Sequence, residues 1–289
     1  MTDALTLTRL GHRYPGRRWA LQDCTVSVPP GRVVALVGPN GAGKTTLLNI
    51  AAGLLRPTVG TARVAGEPPD RGLAKIGYVA QDAPLWPRLR VVDVLELGRC
   101  TNPGFDMQLA EARIRALEIP ARARVHTLSG GQRAQVALTL VLAKRPYLLL
   151  LDEPLANLDP LARREFLTSM FASCAEDGVA VLFSSHVIAE LERICDYLIV
   201  LRAGRVQIAG DIDELRANHR VVTGPPDWPE RSGIGVISTS STAGRATALV
   251  RVDSGPLTGP GFEASQPTFD ELALGYLAAP LPQTHEVPA

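Results

Sequence analysis

Cysteine is scarce in this chain: Cys24, Cys100, Cys174 and Cys195 stand far apart, with no Cys-x-x-Cys pair and no histidine at ligand spacing. That excludes a disulfide framework and a thiolate zinc site. Net charge is scarce as well. Thirty Lys and Arg face 29 Asp and Glu, a formal charge of +1, so no global field gathers nucleic acid, and none is expected as a partner. Long apolar runs are missing: residues 147–151 and 136–143, the most apolar stretches, fall far short of the roughly 18 to 20 residues a spanning helix needs. Met1-Thr2-Asp3-Ala4-Leu5-Thr6 has no basic segment leading into an apolar core, so no secretory leader is expected. If the chain serves a membrane, another chain must cross it.

What is present is an ordinary globular composition. With 289 residues, 46% of them hydrophobic, the chain can bury one sizeable core and a small second domain. Its centre is Gly38-Pro39-Asn40-Gly41-Ala42-Gly43-Lys44-Thr45-Thr46, between the apolar run Val33, Val34, Ala35, Leu36, Val37 and a helix-forming run from Leu47. The spacing Gly-x4-Gly-Lys-Thr after a strand and before a helix is that of a phosphate-binding loop. Glycines let successive N–H groups point into one concavity, to which the helix presents its positive end. Lys44 adds a charge for the β and γ phosphates, and the Thr45 hydroxyl is placed to ligate Mg²⁺.

Ahead of the loop, alternation at Leu5, Leu7, Leu10, Val26 and Val28, with turn signals at Pro15-Gly16 and Pro29-Pro30-Gly31, predicts short strands. Tyr14 or Trp19 could stack on adenine, or either could cap a sheet edge. After it, residues 60–66 and 76–81 read as strands, the second ending in Gln81, whose amide could reach a metal or water or simply sit where a strand meets a loop. Residues 86–126 carry apolar positions at helical intervals, interrupted by Thr101-Asn102-Pro103-Gly104, and predict a helical lobe.

Ser129 then precedes Gly130, Gly131, Gln132 and an apolar-rich helix, a second helix N-terminus suited to phosphate. One loop and two phosphate-seeking helix ends do not match within one chain, which suggests that the second end serves another chain's nucleotide. Leu148 to Leu151 read as a strand buried on both faces, ending in Asp152 and Glu153. Ligands of an open α/β sheet lie beyond the carboxyl ends of its strands, so both acids belong beside the phosphate loop. Asp152 suits Mg²⁺ through water, and Glu153 suits general-base work on an attacking water. Asp159 and Pro160 open a further helix as cap and first residue. Another core strand ends at His186, on the same sheet edge. From about residue 213 the composition turns to Pro, Gly, Ser and Thr; residues 238–243 break any helix, 246–252 alternate like a strand, and Thr268 and Glu271 form a capping box for a short helix.

Taken in order, these residues resemble the nucleotide-binding subunit of an ABC transporter over residues 5 to about 215. The matching motifs are the A-loop aromatic at Tyr14, Walker A, the Q-loop at Gln81, the signature Leu128-Ser129-Gly130-Gly131-Gln132, Walker B with Glu153, the D-loop at Asp159 and the H-switch at His186. The resemblance implies an α/β P-loop ATPase: an N-terminal antiparallel β subdomain, a mainly parallel core sheet, an α-helical subdomain at about 84–145, and an accessory region at 216–289. It also implies ATP and Mg²⁺ as cofactors, with Thr45, Gln81 and Asp152 near the metal. The expected assembly is a head-to-tail dimer, homo- or heteromeric. In it, ATP lies between Walker A of one subunit and Ser129, Gly130, Gly131 and Gln132 of the other. Glu153 polarises water, His186 holds the γ phosphate, Gln81 senses metal and water, and Asp159 reports across the interface. A separate permease would hold the chain at the cytoplasmic face of the membrane. Residues 151–166, 184–192 and the tail helix look most like ATPases paired with ABC-2-type exporter permeases, which sets export as the expected direction, with an importer ATPase or a soluble non-transport ABC ATPase as the alternatives. Gln135 departs from the pattern, standing where many such proteins carry an arginine.

Overall fold

The computed structural model describes residues 2–16, 18–81, 84–156, 158–185, 188–231, 235–242, 244–252 and 261–281. They fall into two compact units, Met1–His186 with Leu201–Val206, and Val187–Val200 with Gln207–Ala289.

The first unit opens with β1 (Leu5–Arg13) and β2 (Trp19–Val28), followed by β3 (Val33–Val37), α1 (Lys44–Ala51) and β4 (Val59–Val64). Both β1 and β2 are longer than the short strands expected: β1 keeps pairing with β2 through register shifts that begin between Leu7 and Leu10, and with β4 through one between Thr8 and Gly11. The three form an antiparallel sheet in the order β2-β1-β4. Next come β5 (Ile76–Val79), α2 (Val91–Thr101), α3 (Met107–Ala116), α4 (Gly130–Ala143), β6 (Leu148–Asp152), α5 (Pro160–Asp177) and β7 (Ala180–Ser185). Strands β5, β6, β7 and β3 lie side by side in that order within a six-stranded sheet, and each adjacent pair is parallel. Every residue of β6 and β7 is buried, as expected of strands covered on both faces.

Register decides where the chemistry gathers. Asp152 pairs with Ser184, and Ser185 pairs with Val37. The carboxyl ends of β6, β7 and β3 therefore share one edge. The predicted helical lobe is present as α2, α3 and α4, packed around Val91, Val94, Ile114 and Val136. Between α2 and α3 the chain turns at 102–106, where Asp106 caps α3 by accepting from the Leu109 N–H at 2.9 Å.

The second unit contains α6 (Ile188–Leu191), most of β8 (Tyr197–Arg202) and β9 (Arg205–Asp211), then α7 (Ile212–Ala217), β10 (His219–Gly224), α8 (Trp228–Arg231), β11 (Val236–Thr242), β12 (Arg245–Arg251), β13 (Glu263–Ser265) and α9 (Phe269–Ala278). Strands β8 and β9 are the remaining two of the six-stranded sheet and straddle the division between the units. A four-stranded antiparallel sheet, β11-β12-β10-β13, carries its own core of Val222, Trp228, Ala246, Ala248 and Val250. Trp228 pays for burial by donating its indole N–H to the Ala246 carbonyl at 2.9 Å. Buried His219 is held at both ring nitrogens, Nδ1 at 2.6 Å from the Leu215 carbonyl and Nε2 at 2.8 Å from the Tyr276 hydroxyl. Since a carbonyl only accepts, Nδ1 carries the proton and Nε2 accepts from Tyr276. The capping box at Thr268 is formed, its hydroxyl accepting from the Glu271 N–H at 3.2 Å.

Candidate active site

The phosphate loop is built from the sheet edge. β3 ends at Val37, Gly38 passes too close to the Leu201 carbonyl for any side chain (an added Cβ would lie 2.3 Å from its oxygen), and Gly43 takes φ 108° at the entrance to α1. No side chain caps α1, so its first-turn N–H groups face the loop with nothing from the cap residue bound to them. Lys44 folds back inside, 5% exposed, donating to the Gly38 carbonyl at 2.8 Å and lying 3.3 Å from Glu153 Oε1. Thr45 is exposed beside it, while Thr46 is buried.

Walker B closes the other side. Asp152, 1% exposed, accepts from the Ser184 hydroxyl at 2.8 Å. That same hydroxyl oxygen accepts from the Glu153 N–H at 3.0 Å. Glu153 adopts φ 47°, a left-handed conformation that costs a non-glycine residue about 1 to 3 kcal/mol and turns the chain off β6 so that its carboxylate meets Lys44. Next to this group, Tyr78 donates to Asn49 Oδ1 at 3.1 Å. Burial, reinforced by the Asp152 charge, pushes its hydroxyl up to about 12. The Tyr14 hydroxyl lies 3.3 Å from Thr46 Oγ1, and its ring meets His12 edge-on at 4.7 Å. Trp19 instead begins β2, paired with Arg13.

The residues Ser129, Gly131, Gln132 and Asp159 form a second group, lining a cavity where α4 and α5 begin. Ser129 caps α4 by accepting from the Gln132 N–H at 3.1 Å, and the Gln132 side chain returns the bond to the Ser129 N–H at 3.1 Å. Gln132 is thus half of a capping box, a role its spacing from Ser129 already carried and the motif reading passed over. Asp159 caps α5 through the N–H groups of Leu161 and Ala162 at 3.0 and 2.9 Å, with Pro160 in first position as expected. Gln81 is exposed and stands two residues beyond β5, which ends at Val79 and not at Gln81 as expected. His186 lies outside the described residues.

No group of three or more His, Cys, Asp or Glu able to hold a metal occurs among the described residues. Mg²⁺ does not need one: it keeps waters and shares substrate phosphates, taking one or two ligands from the protein. An exposed Thr45 hydroxyl and the Asp152 carboxylate at the same sheet edge fit that chemistry.

A loop built to hold phosphate, an acid strand beside it and a parallel core sheet define a P-loop nucleotide-binding protein. The family model described as ABC transporter matches residues 21–156. The chain is 37% identical over 227 residues to the thiamine import ATP-binding protein ThiQ of Salmonella choleraesuis, covering 74% of this chain and 92% of that one. It is 35% identical to the molybdenum import ATP-binding protein ModC of Granulibacter bethesdensis, over 75% of this chain and 61% of that protein. Among solved structures, the ATP-binding cassette MJ0796 in a dimeric post-hydrolysis state with ADP and phosphate superposes with a TM-score of 0.64 at 27% identity, covering 72% and 98% of the two chains. The chain belongs to the ATP-binding subunits of ABC transporters and is an ATPase of that family.

Proposed function

We propose that this chain hydrolyses ATP to drive an ABC importer through a separate permease. The observation that carries the chemistry is the ion pair of Lys44 with Glu153 beneath the phosphate loop. Binding of the β and γ phosphates gives Lys44 a stronger partner, and Glu153 is released to accept a proton from water. Asp152 and Thr45, with Gln81 nearby, hold Mg²⁺, which when bound neutralises phosphate charge. Tyr14 stacks on the base. Ser129, Gly130, Gly131 and Gln132 meet the nucleotide of a second copy in a head-to-tail dimer, His186 contacts its own γ phosphate, and Asp159 carries the state of one site to the other. The dimeric state of the MJ0796 cassette supports that assembly.

On direction, the relatives favour the import alternative of the sequence reading over its export expectation. The relatives compared above are named for import of thiamine and molybdenum, and another for Fe(3+) ions. The export expectation, drawn from residues 151–166, 184–192 and the tail helix, finds no support among them. The test is a mild-detergent pulldown of tagged Glu153→Gln protein from its native membranes with ATP. An importer-type permease with a substrate-binding protein is the expected catch. An ABC-2-type permease would reverse the direction, and soluble partners alone would contradict transport.

A further inference from the structure

Tyr14 stands where strand pairing no longer holds the chain. The β1–β2 ladder shifts register on both sides of His12 and ends with Arg13 opposite Trp19, so side-chain contacts must fix the Tyr14 ring. Its hydroxyl lies 3.3 Å from Thr46 Oγ1 on α1, and its ring meets His12 edge-on at 4.7 Å. His12 is itself fixed. It is 7% exposed, with Nδ1 3.0 Å from the Arg56 carbonyl; a carbonyl only accepts, so Nδ1 carries the proton and Nε2 is bare. Bonds from the Thr58 N–H to the Gly11 carbonyl at 2.8 Å and from the Arg13 N–H to Thr58 Oγ1 at 3.0 Å lay this end of β1 along the chain that leaves α1. Nε2 is buried and has no hydrogen-bond partner among the described residues. An apolar side chain would fill the same slot without leaving a buried acceptor unpaired, so packing alone does not account for an imidazole here.

We infer that His12 is a positioning residue for recognition of the nucleotide's base: it holds the Tyr14 ring in the plane that receives adenine. This rests on the stacking role proposed above for Tyr14. The helix whose first turn faces the phosphates, α1, is tied to Tyr14 near its start through Thr46, and to His12 beyond its end through Arg56. The ring is therefore located relative to the phosphate loop, and a nucleotide with its phosphates seated finds its stacking partner already in place, which lowers the ordering cost of binding. The Nδ1–H bond keeps the imidazole from turning, and two rings meeting edge-on keep that geometry only while both hold their planes. The base end of the nucleotide gains from this arrangement. The triphosphate end, held by Gly38 to Thr46, does not.

The experiment measures steady-state ATP hydrolysis, and its inhibition by inorganic tripolyphosphate, for wild type, His12→Ala, His12→Phe, His12→Asn, Tyr14→Ala and the double variant, each checked for cooperative thermal unfolding. His12→Ala is expected to raise KM for ATP about tenfold, within what a stacked base contributes, with kcat and tripolyphosphate inhibition unchanged. His12→Phe keeps a ring against Tyr14 and should restore most of the affinity. His12→Asn keeps a donor for the Arg56 carbonyl but no ring and should behave like His12→Ala. Combined with Tyr14→Ala, the His12→Ala change should add nothing, since both remove one interaction. Tripolyphosphate inhibition weakening in step with ATP would show a general loosening of the loop and overturn the role. So would His12→Asn binding ATP as well as His12→Phe, a comparison that decides the matter even if His12→Ala fails to fold. Wild-type KM in His12→Ala, with Tyr14→Ala impaired, would overturn the positioning alone and leave the stacking standing. Wild-type KM in Tyr14→Ala would overturn both.

Discussion

Ser184 carries the two acids of the site on one hydroxyl, donating to Asp152 and accepting from the Glu153 N–H. No motif announced it. Its role depends on β6 and β7 being neighbours in register, a relation between distant stretches that local spacing does not encode. Ser184→Ala is expected to lower turnover by about ten- to a hundredfold, the usual effect of losing a group that orients a ligating side chain, with nucleotide affinity changed far less; steady-state hydrolysis beside equilibrium ADP binding separates the two. Lys44, Thr45 and the glycines were legible because phosphate binding constrains each at a fixed offset, whereas the left-handed turn at Glu153 was not, since nothing in a Glu-Pro sequence demands φ 47°. Tyr78 supplies a pH signature. Its folded pKa, about 12, lies above the ordinary 10.0, so the folded state holds the proton more tightly and stability falls as pH rises between those values. Tyr78→Phe should lose that component, read as a smaller drop in urea midpoint than wild type shows from pH 10 to pH 12.

Among the elements, helix starts were legible and strand ends less so. Ser129 and Asp159-Pro160 open α4 and α5 as their chemistry requires, because a cap is decided within four residues. The Ser/Thr-rich stretch at 238–242, expected only to break a helix, forms most of β11 at the edge of the four-stranded sheet. Polar and β-branched residues suit an edge strand with one wet side, and the pairing to β12 that holds them is not local. The same limit misplaced Gln81 at a strand end. The cap of α9 offers a test confined to one element. Thr268→Ala removes a hydroxyl that accepts from the Glu271 N–H and should cost about 1 kcal/mol. Hydrogen exchange is expected to show lower protection in α9 with ATP hydrolysis unaltered; undiminished protection would mean that packing of Phe269 and Leu272 holds the helix start without its cap.

For the whole molecule, the order of motifs sufficed to place the family, because each is a short local pattern and their sequence along the chain follows from one fold. Direction of transport was not legible in the same way. The groups that bind and split ATP do not touch the cargo, so residues tuned for hydrolysis are silent on which way a permease moves it. The second unit is likewise opaque to motifs: its core of Val222, Trp228 and Val250 is held by packing and by bonds between distant residues, such as that from Trp228 to the Ala246 carbonyl, which local spacing does not encode. What can be settled most directly is the claim that Glu153 is the base of an ATP-hydrolysing site. Phosphate release and retained nucleotide should be measured together for wild type and Glu153→Gln. The account predicts that the variant keeps ATP bound while phosphate release falls by at least about a hundredfold, within the range general-base catalysis contributes. Turnover at the wild-type rate would contradict it.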